Sequence, residues 1–272
     1  MNSSWTLKVK FWGVRGSHPT PVSRNMGYGG NTTCVEVRLP DGEVIILDAG
    51  TGITELAPSL ADDRDLHIFF THLHWDHLQG LPFFPPLYSP DISLQLYSSS
   101  YCGNLKSGLE SQMRRPYFPV DFHHAASKCE FVDMGIDEVK IGEARVTSFP
   151  VHHPNGAAGF RVEYDGAVLV FVPDREIGDA RLDAVFDEHA KGATLLIHDA
   201  QYTPSEMRHH KGWGHSTWPD VVEAAERANA GQLALFHHDP HRDDFALGQI
   251  EANAQARFAD AFVAREGVTI TL

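Results

Sequence analysis

The segment Phe70–Gly80 reads F-T-H-L-H-W-D-H-L-Q-G and places three histidines and an aspartate, His72, His74, Asp76 and His77, within six positions. The run ahead of it, Leu66-His67-Ile68-Phe69-Phe70, is apolar enough to be a buried strand, so the polar cluster falls where a strand gives way to a loop. In extended backbone, residues two apart point to the same face, which aligns His72 with His74. Asp76 and His77 follow a turn and are free to point elsewhere. One loop can therefore supply ligands to two metal ions, imidazole-rich for one and carboxylate–imidazole for the other. The chain holds 17 histidines, but the H-x-H-x-D-H spacing behind a strand is a pattern that composition alone does not produce.

Other strand ends carry matching residue types. Val146–Val151 runs into His152-His153-Pro154, Ala167–Val172 into Pro173-Asp174, and Leu233–Phe236 into His237-His238-Asp239. Hairpin signals lie at Asp41-Gly42 and Asp165-Gly166. Strands are expected at Leu7–Val14, Thr33–Leu39, Val44–Leu47, Ile92–Tyr97, Glu130–Val132, Val139–Ile141, Ala144–Val151, Gly159–Tyr164, Thr194–Ile197 and Val268–Leu272. Helices are expected at Ile53–Leu60, Asn104–Arg115, Asp179–Ala190, Trp218–Ala230 and, as one long element, Asp243–Ala264. Hairpins followed by strand–helix alternation, twice over, predict an α/β (α+β) αββα sandwich: two mixed sheets face to face with helices outside. With no repeat or linker visible, residues 1–272 are expected to form one domain. The Pro/aromatic segment Leu81–Pro90 is expected to be an irregular loop at the mouth of the site.

A net charge of −14 argues against non-specific binding to nucleic acid or to an anionic membrane. No apolar run reaches membrane-spanning length, and the start of the chain, Met1-Asn2-Ser3-Ser4-Trp5, lacks a basic region followed by an apolar stretch. Cys34, Cys102 and Cys129 are odd in number and widely spaced, which suits a reducing cytoplasm better than a disulfide framework.

On these motifs the chain resembles the metallo-β-lactamase-fold hydrolases over nearly its whole length. Asp48 in L-D-A-G-T-G resembles the family's first motif, a supporting aspartate behind the ligands, and T-H-L-H-W-D-H the second. The resemblance implies two divalent ions, zinc, manganese or iron(II). His72, His74 and His153 would hold one, Asp76, His77 and His237 the other, and Asp174 would bridge. His153 is taken over His152 because the family's third-motif histidine precedes a glycine-containing stretch, and His237 over His238 because it comes first after its strand. Aspartate at position 174, where the β-lactamases proper carry cysteine, argues against antibiotic hydrolysis.

Lys211–Thr217, K-G-W-G-H-S-T, resembles the H-S-T motif of the tRNase Z-like phosphodiesterase branch, and His198-Asp199-Ala200 its H-E-A element with Asp for Glu. The resemblance implies a catalytic set of His215, Asp199 and Asp76, with Asp199 orienting His215 and His198 joining Asp48 behind the ligands. Ser216 or Thr217 would also cap the following helix, which orders the turn that carries His215. The expected activity is hydrolysis of a small phosphodiester, a cyclic nucleotide foremost, by metal-activated water with His215 as general acid. His153 and Asp174 stand too close in sequence to enclose a tRNA-gripping arm. Members of this branch are often dimeric, which implies a homodimer. The alternatives are a cyclic ribose phosphate phosphodiesterase, a thioester or lactone hydrolase of the same fold, and a metal-binding scaffold without turnover. Arg15, Phe84 and Tyr88 are the expected substrate contacts, Arg15 having an equally good reading as a structural arginine. Phe83, Tyr117 and Phe118 are further aromatics near the expected mouth.

Overall fold

The computed structural model describes residues 6–125, 127–135 and 138–272; the first five residues, read above for a leader, lie outside them. The strands in chain order are β1 Lys8–Gly13, β2 Cys34–Arg38, β3 Val44–Leu47, β4 Asp65–Phe70, β5 Ser93–Ser98, β6 Lys128–Asp133 and β7 Glu138–Ile141. They continue as β8 Ala144–Val151, β9 Ala157–Tyr164, β10 Ala167–Val172, β11 Leu195–Asp199, β12 Gln232–Phe236, β13 Ala261–Val263 and β14 Thr269–Thr271. The helices are α1 Gly52–Leu56, α2 Leu105–Gln112, α3 Ala180–Ala190, α4 Pro204–His210, α5 Trp218–Ala228 and α6 Asp244–Gln255.

Two 7-stranded sheets result, ordered β14-β1-β2-β3-β4-β5-β6 and β13-β12-β11-β10-β9-β8-β7. Both are mixed. In the first, β14 to β3 pair antiparallel and β3 to β6 parallel. In the second, β7 to β10 pair antiparallel and β10 to β13 parallel.

The strand sequences fix the layering because both faces of each sheet are covered. In β4, Phe69 enters the core between the sheets, where it meets Phe160 of β9, whereas Leu66, Ile68 and Phe70 face outward beneath α1 and α2. In β11, Leu195 and Ile197 point to the same inter-sheet core, and Leu196 points to the outer layer under α3, α5 and α6. The αββα sandwich expected from the sequence is the architecture found. No helix among the described residues is long and apolar enough to cross a membrane.

Three local expectations are corrected. The long helix expected over Asp243–Ala264 ends at Gln255, and Ala261–Val263 pairs parallel with β12 as an edge strand. The Ala-rich run keeps helical spacing, but an open sheet edge beside it offers backbone partners, and tertiary context overrides propensity. Helix α4 was not expected, although T-P-S-E carries its start signal: Thr203 and Glu206 form a capping box with proline in the first turn. The segment Leu81–Pro90 folds into two 3₁₀ turns, Leu81–Phe83 and Pro85–Tyr88, that bury Leu81, Pro82 and Leu87.

Candidate metal centre

Strands β3, β4, β8, β10, β11 and β12 all end at one edge of the sandwich, and the residues that follow them converge there. Asp174 is central. Its Oδ2 lies 3.1 Å from His72 Nε2 and 3.0 Å from His77 Nε2, and its Oδ1 lies 3.0 Å from His237 Nε2. Two groups able to hold a cation form around it, His72–His74–His153–Asp174 and Asp76–His77–His237, with ligand atoms inside each group within 4.8 Å of one another. Asp174, His215 and His237 form a third such grouping that shares the same centre.

The imidazoles are held in the tautomer that coordination needs. A ring that donates through Nδ1 offers the Nε2 lone pair to a metal. His77 donates Nδ1–H to Asp48 Oδ2 at 2.8 Å, His237 to Gln201 Oε1 at 2.8 Å and His153 to the Gly214 carbonyl at 2.9 Å. His74 instead turns Nδ1 toward His153 Nε2, 3.0 Å away. Despite the short approaches around Asp174, His72 Nε2, His77 Nε2 and Asp174 Oδ1 are buried and make no hydrogen bond of good geometry. Buried polar atoms left unpaired cost free energy unless something binds them, and imidazole nitrogens converging on carboxylate oxygens are a donor set for zinc, manganese or iron. The residues present therefore fit divalent cations.

Without bound cations, the protonation states divide the imidazoles into two sets. Burial lowers the pKa of His72, and holds His74 down to about 4 and His153 to about 3, so all three imidazoles are neutral at pH 7. Burial opposes charge on His77 and His237 as well, but the facing carboxylates win: His77 is pulled well above its ordinary value and His237 to about 10. Asp76 and Asp174 resist their own burial because these imidazoles hold them well below the carboxylate range. The site is built to surround anionic carboxylates with positive charge, which bound cations would provide.

Behind the ligands lies a rigid frame. Asp48 also accepts from the Thr71 amide and hydroxyl, each at 2.8 Å. Both Asp48 and His237 adopt left-handed backbone, with φ of 61° and 57°; such strain in a non-glycine residue costs about 1–3 kcal/mol and persists where surrounding contacts enforce it. Asp76 accepts the Ser17 amide at 2.7 Å. Glycine is required at position 214, where φ is +91° and a Cβ would strike the His153 ring.

His215 stands beside the cluster, its ring centroid 5.4 Å from that of His153 and 5.0 Å from that of His237. Its Nδ1 lies 3.0 Å from Asp199 Oδ2. Glu176, buried, accepts the Gly212 and Gly214 amides at 2.8–2.9 Å and so fixes the G-W-G turn that leads into His215.

The structure brings His72, His74, Asp76, His77, His153, Asp174 and His237 together, with Asp48, Asp199 and His215 around them. Of the two doublets, His152 is exposed outside the cluster, and His238 is buried away from it with Nε2 bonded to the Ala264 carbonyl at 2.8 Å. Four expected contacts are corrected. His198 points to the opposite face of β11 from Asp199, as strand alternation demands, and takes a 3.0 Å hydrogen bond from Arg175 while packing on Phe186. Arg15 is fully buried, donating to the carbonyls of Gly29, Asp239 and Arg242 at 2.7–3.2 Å, so it ties loops together and offers nothing to a substrate. Phe84 is fully buried in the core beneath α1 and α2. Tyr88 packs on that same core, its hydroxyl spent on the Pro82 carbonyl at 2.6 Å. Sequence reasoning missed Gln201, Ser17 and Glu176. Their roles come from contacts with residues 36 to 59 positions away, and no local pattern signals them.

The family model described as "Beta-lactamase superfamily domain" matches residues 43–238. Ribonuclease Z of Haloarcula marismortui is 24% identical over 280 residues, covering 85% of this chain and 86% of that protein. Ribonuclease Z of Lactococcus lactis is 25% identical over 309 residues, covering 96% and 98%. Among solved structures, a metallo-β-lactamase-fold protein of Bacillus subtilis matches with a TM-score of 0.75 at 17% identity, covering 99% of this chain and 100% of that one. A diphosphatase from the PhnP family matches with a TM-score of 0.74 at 19% identity, covering 98% of each chain.

Proposed function

The chain belongs to the β-lactamase superfamily of metal-dependent hydrolases, and from that membership we propose that it is a dinuclear phosphodiesterase acting on a small phosphodiester, a cyclic nucleotide foremost. His72, His74 and His153 would hold one divalent ion, zinc foremost, Asp76, His77 and His237 would hold the second, and Asp174 stands between the two sets. Ions held there supply Lewis acidity and an activated water at neutral pH.

The observation that carries the proposal is the His215–Asp199 pair, 3.0 Å apart, at the rim of the cluster. With Nδ1 committed to Asp199, Nε2 is the atom left to hold a proton for the leaving oxygen. An alkoxide is a poor leaving group and needs that proton, whereas a thiolate does not. Asp199 fixes the ring's orientation through that contact. Asp48, Gln201 and the Gly214 carbonyl keep three ligand rings from rotating, which fixes the cluster before substrate arrives.

The relatives named ribonuclease Z favour a second reading, an RNA diester as substrate. Against it, β9 and β10 are joined by the tight Asp165-Gly166 turn, which leaves no room for a tRNA-gripping arm there, and the chain carries a net charge of −14, where RNA binding draws on basic surface. A metal-replete assay against cyclic mononucleotides, cyclic dinucleotides, cyclic ribose phosphate, a tRNA precursor and a thioester decides. Turnover of cyclic nucleotides above the rest is expected; processing of the tRNA precursor alone would replace this reading with the second.

A further inference from the structure

The loop that carries the ligands has a second face. His72 and His74 turn into the cluster, while Leu73 between them turns away and packs over Gly108 of α2. On that side a hollow of about 410 Å³ opens between the ligand loop, the 3₁₀ turn at Leu81–Phe83 and the segment after α2, a size that suits a small-molecule site. Three aromatic rings stand at it, Trp75, Phe83 and Tyr117, exposed by 71%, 65% and 77%. Phe83 is steadied by an edge-on contact with Phe118, ring centroids 5.6 Å apart. Large aromatics left in water beside one concavity mark a recognition surface.

The chemistry of the lining narrows the ligand. Among the described residues no acidic, basic or histidine side chain lines the hollow; its polar groups are the amides of Gln79 and Gln112, the hydroxyls of Ser111 and Tyr117 and the indole N–H of Trp75. Gln112 spends its amide nitrogen on the Leu78 carbonyl at 3.0 Å and Gln79 on the Thr32 hydroxyl at 3.2 Å, while Gln112 Oε1 is buried without a partner. Such a site takes a flat, uncharged group that stacks on rings and meets amides at its edge, and rejects a phosphate or a carboxylate. Yet Trp75 is the direct neighbour of both His74 and Asp76, so its Cα lies about 3.8 Å from theirs. A ligand with its charge at the metal centre and a neutral ring in the hollow matches both surfaces.

We propose that this hollow is the base subsite: it stacks the nucleobase of the substrate on Trp75, Phe83 and Tyr117. The inference rests on the phosphodiesterase reading and makes the substrate a nucleotide. A cyclic ribose phosphate would leave the hollow empty.

The test uses adenosine, which has no phosphate, with ribose as control, on the full chain with its metals. Adenosine should quench tryptophan fluorescence saturably and ribose should not, and Trp75→Phe should remove most of the signal change. Phe83→Ala and Tyr117→Ala, at exposed positions and checked for native circular dichroism, should each weaken adenosine by about 5- to 150-fold, the range base–aromatic stacking supplies. Unsaturable adenosine, or equal affinity in the wild type and both alanine variants, overturns the proposal. So does self-association that Phe83→Ala abolishes, since a second copy would then be the occupant. Because adenosine carries no scissile bond, its failure to bind leaves diester hydrolysis untouched. Conversely, adenosine binding without diester turnover sinks the phosphodiesterase reading and leaves the hollow as a nucleoside site.

Discussion

Asp199 Oδ2 lies 3.0 Å from His215 Nδ1, and the same oxygen accepts the backbone amides of Arg175 and Ser216 at 3.2 Å each. One buried carboxylate thus ties the residue after Asp174 to the residue after His215, so the central carboxylate and the proposed general acid share an anchor. His215→Ala should retain its metals. It should slow diesters with a ribose-oxygen leaving group by about 10²–10⁴-fold and affect p-nitrophenyl diesters far less, because p-nitrophenolate leaves unprotonated. Asp199→Asn should show a weaker form of the same pattern. Equal losses on both substrates would remove the general-acid role.

Asp174 stands between the two ligand groups, and removing it should empty both. Elemental analysis of the purified protein should give two divalent ions per chain, and Asp174→Ala should lose metal together with nearly all turnover. A wild type fully active with one ion would end the dinuclear reading.

In the doublets, metal content separates ligand from bystander. His153→Ala and His237→Ala should lose metal. His152→Ala should behave as wild type, since its side chain is exposed. His238→Ala should cost stability through the lost 2.8 Å bond to Ala264, on the order of 1–3 kcal/mol, and keep its metals. Reversal within either pair would reassign the ligand.

Glu176 touches the candidate metal centre only through the turn it pins, Gly214 in turn accepting from His153 Nδ1. Glu176→Ala should lower metal affinity by about 10- to 100-fold, as loss of supporting contacts around metal sites does. Competition with a chromogenic chelator reads this directly, and an unchanged affinity would make the turn's geometry independent of Glu176.

Glu266 offers a pH test at a residue outside the ligand cluster. Burial pushes its carboxyl up to about 7 from 4.5, against the opposing pull of Asn31 and Arg15. Between those values the unfolded chain has released the proton that the folded chain still holds, so stability falls as pH rises from about 4.5 to 7 and is level beyond. The loss is on the order of 3 kcal/mol. Glu266→Gln has no such proton, so its denaturant stability should gain on the wild type by that order between pH 5 and pH 8. A pH-independent difference would disprove the shifted carboxyl.

The residue types of the centre were legible because each ends an apolar strand: Phe70 hands over to Thr71-His72, Val172 to Pro173-Asp174 and Phe236 to His237. Strand periodicity and hairpin signals likewise carried the αββα layering. Local pattern could not decide where a polar side chain goes once the sheets close. His198 and Asp199 are adjacent, and the two-residue period of β11 sends one under α3 and the other to His215. Phe83 and Phe84 are adjacent, and a 3₁₀ turn leaves the first 65% exposed and the second fully buried. The sequence by itself determined which chemical groups exist and that strands deliver them to one edge. Tertiary structure alone decided which of them meet, because burial and hydrogen bonding between distant segments, such as Gln201 with His237 or Glu176 with Gly214, are set by packing across the two sheets and not by the spacing of residues along the chain.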